Sequence, residues 1–143
     1  MLTTTDIESS LLKYLYDSLE GPYGIKIFES VFYVDFTSFD KWIVIDSLSN
    51  SVGSTPRANF ALHISIKNGL RNAPVVLTQL VDKVLKLFPQ YQRISVYDGI
   101  LGTVNGEMEL CAAGLLPTQR HAGGGEFRTL NISVVYAGDT PLV

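Results

Sequence analysis

The clearest patterning lies in Lys41–Lys67, KWIVIDSLSNSVGSTPRANFALHISIK. Its second half alternates, with Phe60, Leu62, Ile64 and Ile66 on one face and Ala61, His63, Ser65 and Lys67 on the other. Successive side chains of an extended chain point to opposite sides, so this period of two predicts a half-buried antiparallel strand. The first half, Trp42-Ile43-Val44-Ile45, is apolar on both faces. It predicts a strand covered on both sides, inside the sheet or against a neighbouring subunit. Between the two, Ser47–Arg57 reads as a long loop of small polar residues, with Arg57 available to a partner.

Helical spacing appears twice. Thr5-Asp6-Ile7-Glu8 has the form of a capping box, and Ile7, Leu11, Leu15 and Leu19 then recur every fourth residue, with Leu12 and Tyr14 widening the stripe. Gly21-Pro22 is the expected stop. A second helix is expected from about Ala73 to Phe88, capped by Asn72, with Pro74 in its first turn and Pro89 ending it. Leu77, Val81, Val84 and Phe88 share its apolar face, flanked by Leu80, Leu85 and Leu87.

The remaining segments read as strands and turns. Gly24–Phe36, with Ile25, Ile27, Val31 and Tyr33, predicts one irregular or edge strand followed by a turn at Thr37-Ser38. Arg93–Tyr97 predicts a short strand, Asn105-Gly106 a hairpin turn, and the alternation of Met108, Leu110 and Ala112 against Glu107, Glu109 and Cys111 another strand. Pro117–Glu126 is a polar connection with three consecutive glycines. Phe127–Tyr136 closes the pattern, with Arg128, Leu130, Ile132, Val134 and Tyr136 on one face; Ala137–Val143 has turn chemistry. Strands separated by only two helices predict one α+β domain over residues 1–143, an antiparallel or mixed β-sheet packed against two α-helices.

Composition sharpens this picture. The 143 residues are 46% hydrophobic but only 17% charged, against roughly 25% charged in ordinary soluble domains. So little charge on a small domain implies that part of its surface is covered by other chains, and homo-oligomerisation is the first expectation. A net charge of −3 argues against a protein built to grip nucleic acid. The single cysteine, Cys111, cannot form an internal disulfide and is expected as a small buried residue in a reducing compartment. The amino terminus lacks the basic and apolar runs of a signal peptide, and no stretch approaches the roughly 20 apolar residues that span a bilayer.

Candidate chemistry is sparse. His63, on the polar side of a regular strand, reads as a surface or inter-subunit contact; His121, beside Arg120 in the glycine-rich connection, could contact an anion. Glu107 and Glu109 lie on one strand face and could in principle share acid–base work. No C-x-x-C pair, H-E-x-x-H or EF-hand loop suggests a metal, and Gly123-Gly124-Gly125 lacks the lysine and hydroxyl of a phosphate loop. No catalytic residue, cofactor or metal is expected.

The order of segments resembles the tail terminator (tail-completion, or tail-to-head joining) proteins of long-tailed bacteriophages. The resemblance runs through DIESSLLKYLYDSL, WIVI, PRANFALHISIK, APVVLTQLVDKVLKLF and the Arg-x-Leu-x-Ile-x-Val-x-Tyr strand of Arg128–Tyr136, and spans most of the chain. It implies a virion protein assembled in the host cytoplasm, a homohexameric ring that ends the tail tube and joins it to the head connector or stopper. DNA would pass through the lumen without being read. Trp42, Ile43, Arg57, Arg120 and His121 are the residues expected at partner interfaces. The alternative from another class is a small dimeric α+β enzyme or ligand-binding domain using His63, Glu107 or Glu109 in a pocket between sheet and helices.

Overall fold

The computed structural model describes residues 4–29, 39–51, 57–97, 103–121 and 124–137. The α+β expectation holds, with a seven-stranded mixed sheet carrying its helices on one face. The strands are β1 (Lys26–Phe28), β2 (Lys41–Ser51), β3 (Arg57–Ile66), β4 (Arg93–Tyr97), β5 (Val104–Leu115), β6 (Gln119–Arg120) and β7 (Glu126–Ala137). They run in the order β1-β2-β3-β7-β5-β4, with β6 paired to β7. Only β1 and β2 are parallel; the other pairs are antiparallel. The last long strand therefore sits in the middle, between β3 and β5, and joins the two halves of the sheet.

Alternation assigns the faces. Ile43 and Ile45 of β2, Ala58, Phe60, Leu62, Ile64 and Ile66 of β3, and Leu130, Ile132, Val134 and Tyr136 of β7 point into one contiguous core, as expected. Helices α1 (Thr4–Leu15) and α3 (Ala73–Leu85) close it, α1 lying over β4 and α3 over β3 and β7. Ile7, Leu11, Leu15 and Leu19 are all buried, as their spacing requires. Two polar ties fix α1 in place. The Ser10 hydroxyl donates to Asp6 O and accepts Tyr97 N–H from β4. Tyr14 Oη donates to Leu87 O, 2.6 Å away, while its ring meets Phe88 edge-on. The helix that precedes Pro89 ends at Leu85, because Leu87 and Phe88 fall back on i−3 carbonyls, yet Phe88 remains in the core.

Several expected boundaries move. Thr5 lies inside α1 rather than at its cap. Gly21-Pro22 does not stop the helix: the chain widens into a π-turn over Tyr16–Glu20, with Gly21 N–H reaching Tyr16 O, and then makes a last turn, α2 (Gly21–Tyr23). Proline lacks an N–H and its ring collides with the carbonyl four residues back, so the wider turn accommodates Pro22 where a regular one would not. Gly24, at φ +66°, ends it. Asn72 occupies the N-cap of α3 but in the left-handed region, without a side-chain bond to the helix. Asn105-Gly106 forms no hairpin turn: both residues lie within β5, at a register shift against β4. Gly106 is needed there for space, since a Cβ would come within 2.7 Å of Tyr136 Oη. Strand β1 is the expected edge strand, shortened to three residues; Val31, Tyr33 and the Thr37-Ser38 turn lie outside the described residues, as does most of the tail. Of the expected Ser47–Arg57 loop, the part to Ser51 belongs to β2 and Arg57 begins β3, while residues 52–56 lie outside the described residues.

Candidate functional site

Two features of the sheet face away from the helices. The first is a cluster of rings and hydroxyls on neighbouring strands. Trp42 of β2 pairs with Ser65 of β3, and Ser65 with Phe127 of β7; one step along, Val44, His63 and Thr129 make the next row. Direct cross-strand neighbours lie within side-chain contact distance, so these residues meet although they come from distant parts of the chain. His63 Nε2 is 2.7 Å from Asp46 Oδ2, and its Nδ1 is 2.8 Å from Thr129 Oγ1. An ionised carboxylate only accepts, so Nε2 donates to Asp46 and, in the neutral ring, Nδ1 accepts the Thr129 hydroxyl.

The connection between β6 and β7 supplies the cover. His121 stacks on Phe127 with ring centroids 4.4 Å apart and on Trp42 at 5.9 Å, and His63 meets Phe127 edge-on. Ser65 Oγ donates to His63 O and therefore accepts His121 Nε2–H, at 3.2 Å. Burial first, and then the neighbouring His63, hold the His121 pKa below the ordinary histidine value. The turn itself is closed by His121 N–H to Gly125 O and Gly124 N–H to His121 O. Gly125 has φ +85°, and a Cβ on it would lie 2.6 Å from Ile66 O. Gly125→Ala is accordingly expected to destabilise the fold by about 1–3 kcal/mol, the cost of left-handed strain at a site that cannot relax; urea denaturation checks this, and an unchanged midpoint would refute it.

The second feature is a pair of bare sheet margins. Strand β4 stops pairing with β5 at Glu109, and one further bond joins Leu110 N–H to Gln92 O. Beyond that point, Cys111–Leu115 has β7 on one side and no described strand on the other. Cys111, Ala112, Ala113, Gly114 and Leu116 are exposed, and none is charged. On the opposite margin β1 stops pairing at Val44, and from Ile45 onward β2 has only β3 beside it among the described residues. Leu48, at a register shift there, is 57% exposed.

The expected site residues divide between these surroundings. Trp42 is brought against His121 and is only 3% exposed, so it is packed within its own chain and offers no surface to a partner, while Arg120 is exposed on β6 beside them. Arg57 is exposed at the start of β3. Ile43 is 0% exposed within its own chain's core, so it offers no surface to a partner. Cys111 is exposed rather than buried, because a bulge places it on the bare margin of β5, where its Sγ lies 3.2 Å from Ser133 O. His63 is no simple surface contact, since both ring nitrogens are bonded within the chain. Glu107 and Glu109 share Arg93, at 3.2 and 3.7 Å, as a solvated ion-pair group. Nor do they meet His63: the β7 residues opposite His63 and Glu107 are Thr129 and Ala137, eight positions or about 26 Å apart along one strand.

The bonding order Asp46–His63–Thr129 matches that of a hydrolytic triad. Thr129 is only 7% exposed, however, which leaves its hydroxyl little access to an electrophilic carbon. Among the described residues no group of three or more side chains could hold a metal, and no helix is long and apolar enough to cross a membrane. No protein-family model and no curated protein matches the chain.

Proposed function

We propose that this protein is a ring-forming structural component of the tail terminator kind, closing the tail tube of a long-tailed phage and joining it to the head connector. The observation that supports this reading is the four-stranded ribbon β2-β3-β7-β5, which among the described residues is bare on both margins over the same rows of residues. Bare margins present unpaired N–H and C=O groups, and proteins that remain single usually blunt them with lysine, proline or a covering segment. Here the β5 margin carries only small or apolar side chains.

The two margins are of opposite kind, so pairing β5 of one copy with β2 of the next is heterologous and can close into a ring. Neighbours within the ribbon are antiparallel, and with four strands the β5–β2 junction is antiparallel too. Alternating strand direction thus continues unbroken from copy to copy. The helices lie on the outer face, and Asn59, Ala112, Asn131 and Ser133 face the lumen with Gly114 in the same rows. Asp46 shares the row of Asn131 and Gly114, and Arg57 and Glu109 share another, so the lumen face would carry no basic excess to hold a polyanion such as DNA.

The chain is expected to form a discrete species of about six times its 15.7 kDa, alone or on addition of tube protein. Light scattering after size exclusion, with electron microscopy of tube mixtures, measures this. A single-copy species in both experiments would remove the reading.

A further inference from the structure

We propose that Tyr91 is the aromatic anchor of the joint between copies: its turn keeps the β5 margin open, and its ring packs on the β2 strand that the next copy lays there. The inference rests on the ring reading and assigns a residue to its joint.

Tyr91 has φ +65°. It is the third residue of the turn Pro89–Gln92, which is closed by Gln92 N–H to Pro89 O at 3.0 Å. A positive φ at that position of a turn ordinarily selects glycine or asparagine, because other side chains crowd the backbone there. Asn72, the other non-glycine residue with positive φ among those described, is such an ordinary occupant. A tyrosine is an outlier, and conformations of this kind persist only where the surroundings offset their cost. Its own side chain supplies little of that offset within the chain. Tyr91 is 65% exposed, and among the described residues its ring and hydroxyl have no hydrogen-bond, ion-pair or ring partner.

That turn is also what leaves the margin bare. β4 stays joined to β5 as far as the bond of Leu110 N–H to Gln92 O, at 2.8 Å. Had the preceding residues continued as a strand, they would lie along Cys111–Leu115; the turn at Tyr91 takes the chain off that line instead. A strand arriving beside Cys111–Leu115 therefore lies in line with β4, end to end, and the corner it meets is Tyr91. No choice of register between the two copies changes this.

In the ring the arriving strand is β2 of the next copy. Its bare stretch begins at Ile45 and carries Leu48 as its exposed large apolar side chain. Tyrosine offers a broad apolar face with a hydroxyl for the wet rim, and it is enriched among the few residues that dominate interfaces. Leu48 and Tyr91 are both unspent in the single chain and complementary across the joint.

Tyr91→Gly removes the ring and suits the left-handed backbone. In urea the dilute single chain of this variant should unfold at a midpoint equal to or above that of wild type. Assembly followed by sedimentation velocity should nevertheless need at least about tenfold more protein. Tyr91→Phe keeps the ring and should assemble as wild type does. Tyr91→p-benzoylphenylalanine should on illumination join two chains, with the link mapping to β2. A glycine variant that assembles at the wild-type concentration would overturn the anchor and leave the ring reading standing, as would a lowered urea midpoint or photo-links confined to one chain. Absence of any wild-type assembly, with or without tube protein, would instead remove the ring reading and this inference with it.

Discussion

Phe60→Ala is expected to cost about 3–5 kcal/mol, the largest single loss in the fold. Removing a buried phenyl ring forfeits its transfer free energy and leaves a cavity that the surroundings fill only in part. Phe60 is wholly buried on β3, beside Ile132 of β7, on the face that α3 covers. Neither strand can move inward, because each is hydrogen-bonded on both sides. With a total stability of about 5–15 kcal/mol for a domain, such a loss takes a large share. In urea the midpoint should fall with little change in slope; a loss below about 1 kcal/mol would mean that the β3–β7 seam is not the centre of the core.

Ala112→Lys combined with Ala113→Lys is expected to abolish assembly while leaving the single chain folded. Both positions are exposed in the isolated chain, where surface changes usually stay within about 0.5 kcal/mol. In the proposed ring they lie against β2 of the neighbouring copy. A lysine on each face of a strand margin obstructs a further strand, by charge and by the cost of drying the ammonium groups. Sedimentation of the variant should show one 15.7 kDa chain with a melting temperature close to wild type. Retention of a wild-type ring would mean that β5 is not the joint.

Much of the fold could be read from periodicity, and the reason is local. The stripe Ile7, Leu11, Leu15, Leu19 and the alternations in β3 and β7 record burial on one side of a regular element, which neighbouring residues reveal by themselves. The boundaries that moved involve proline and glycine in competing roles. Pro22 was accommodated by a π-turn, and Gly106 serves Tyr136 rather than a turn. The ring cluster was out of reach for a different reason. His63 meets a partner 17 residues away and another 66 residues away. That meeting depends on β7 lying next to β3, which strand periodicity does not specify. One trace of it was present: Trp42, His63, Ser65, Phe127 and Thr129 all occupy faces opposite the core stripes of their strands. The bare margin of β5 was hidden likewise, because it exists only where β4 is shorter than its neighbour.

The irregularities at Leu48 and Cys111 stand on the outermost strands of the ribbon, one on each flank. An extra residue in one strand of a pair bends that strand and tightens its coil. In a closed assembly built from such ribbons, these two residues would govern how much of the circle each copy subtends, and so the bore. Excising either one would be felt as a change in the number of copies that complete the circumference, while the joint between copies kept its chemistry.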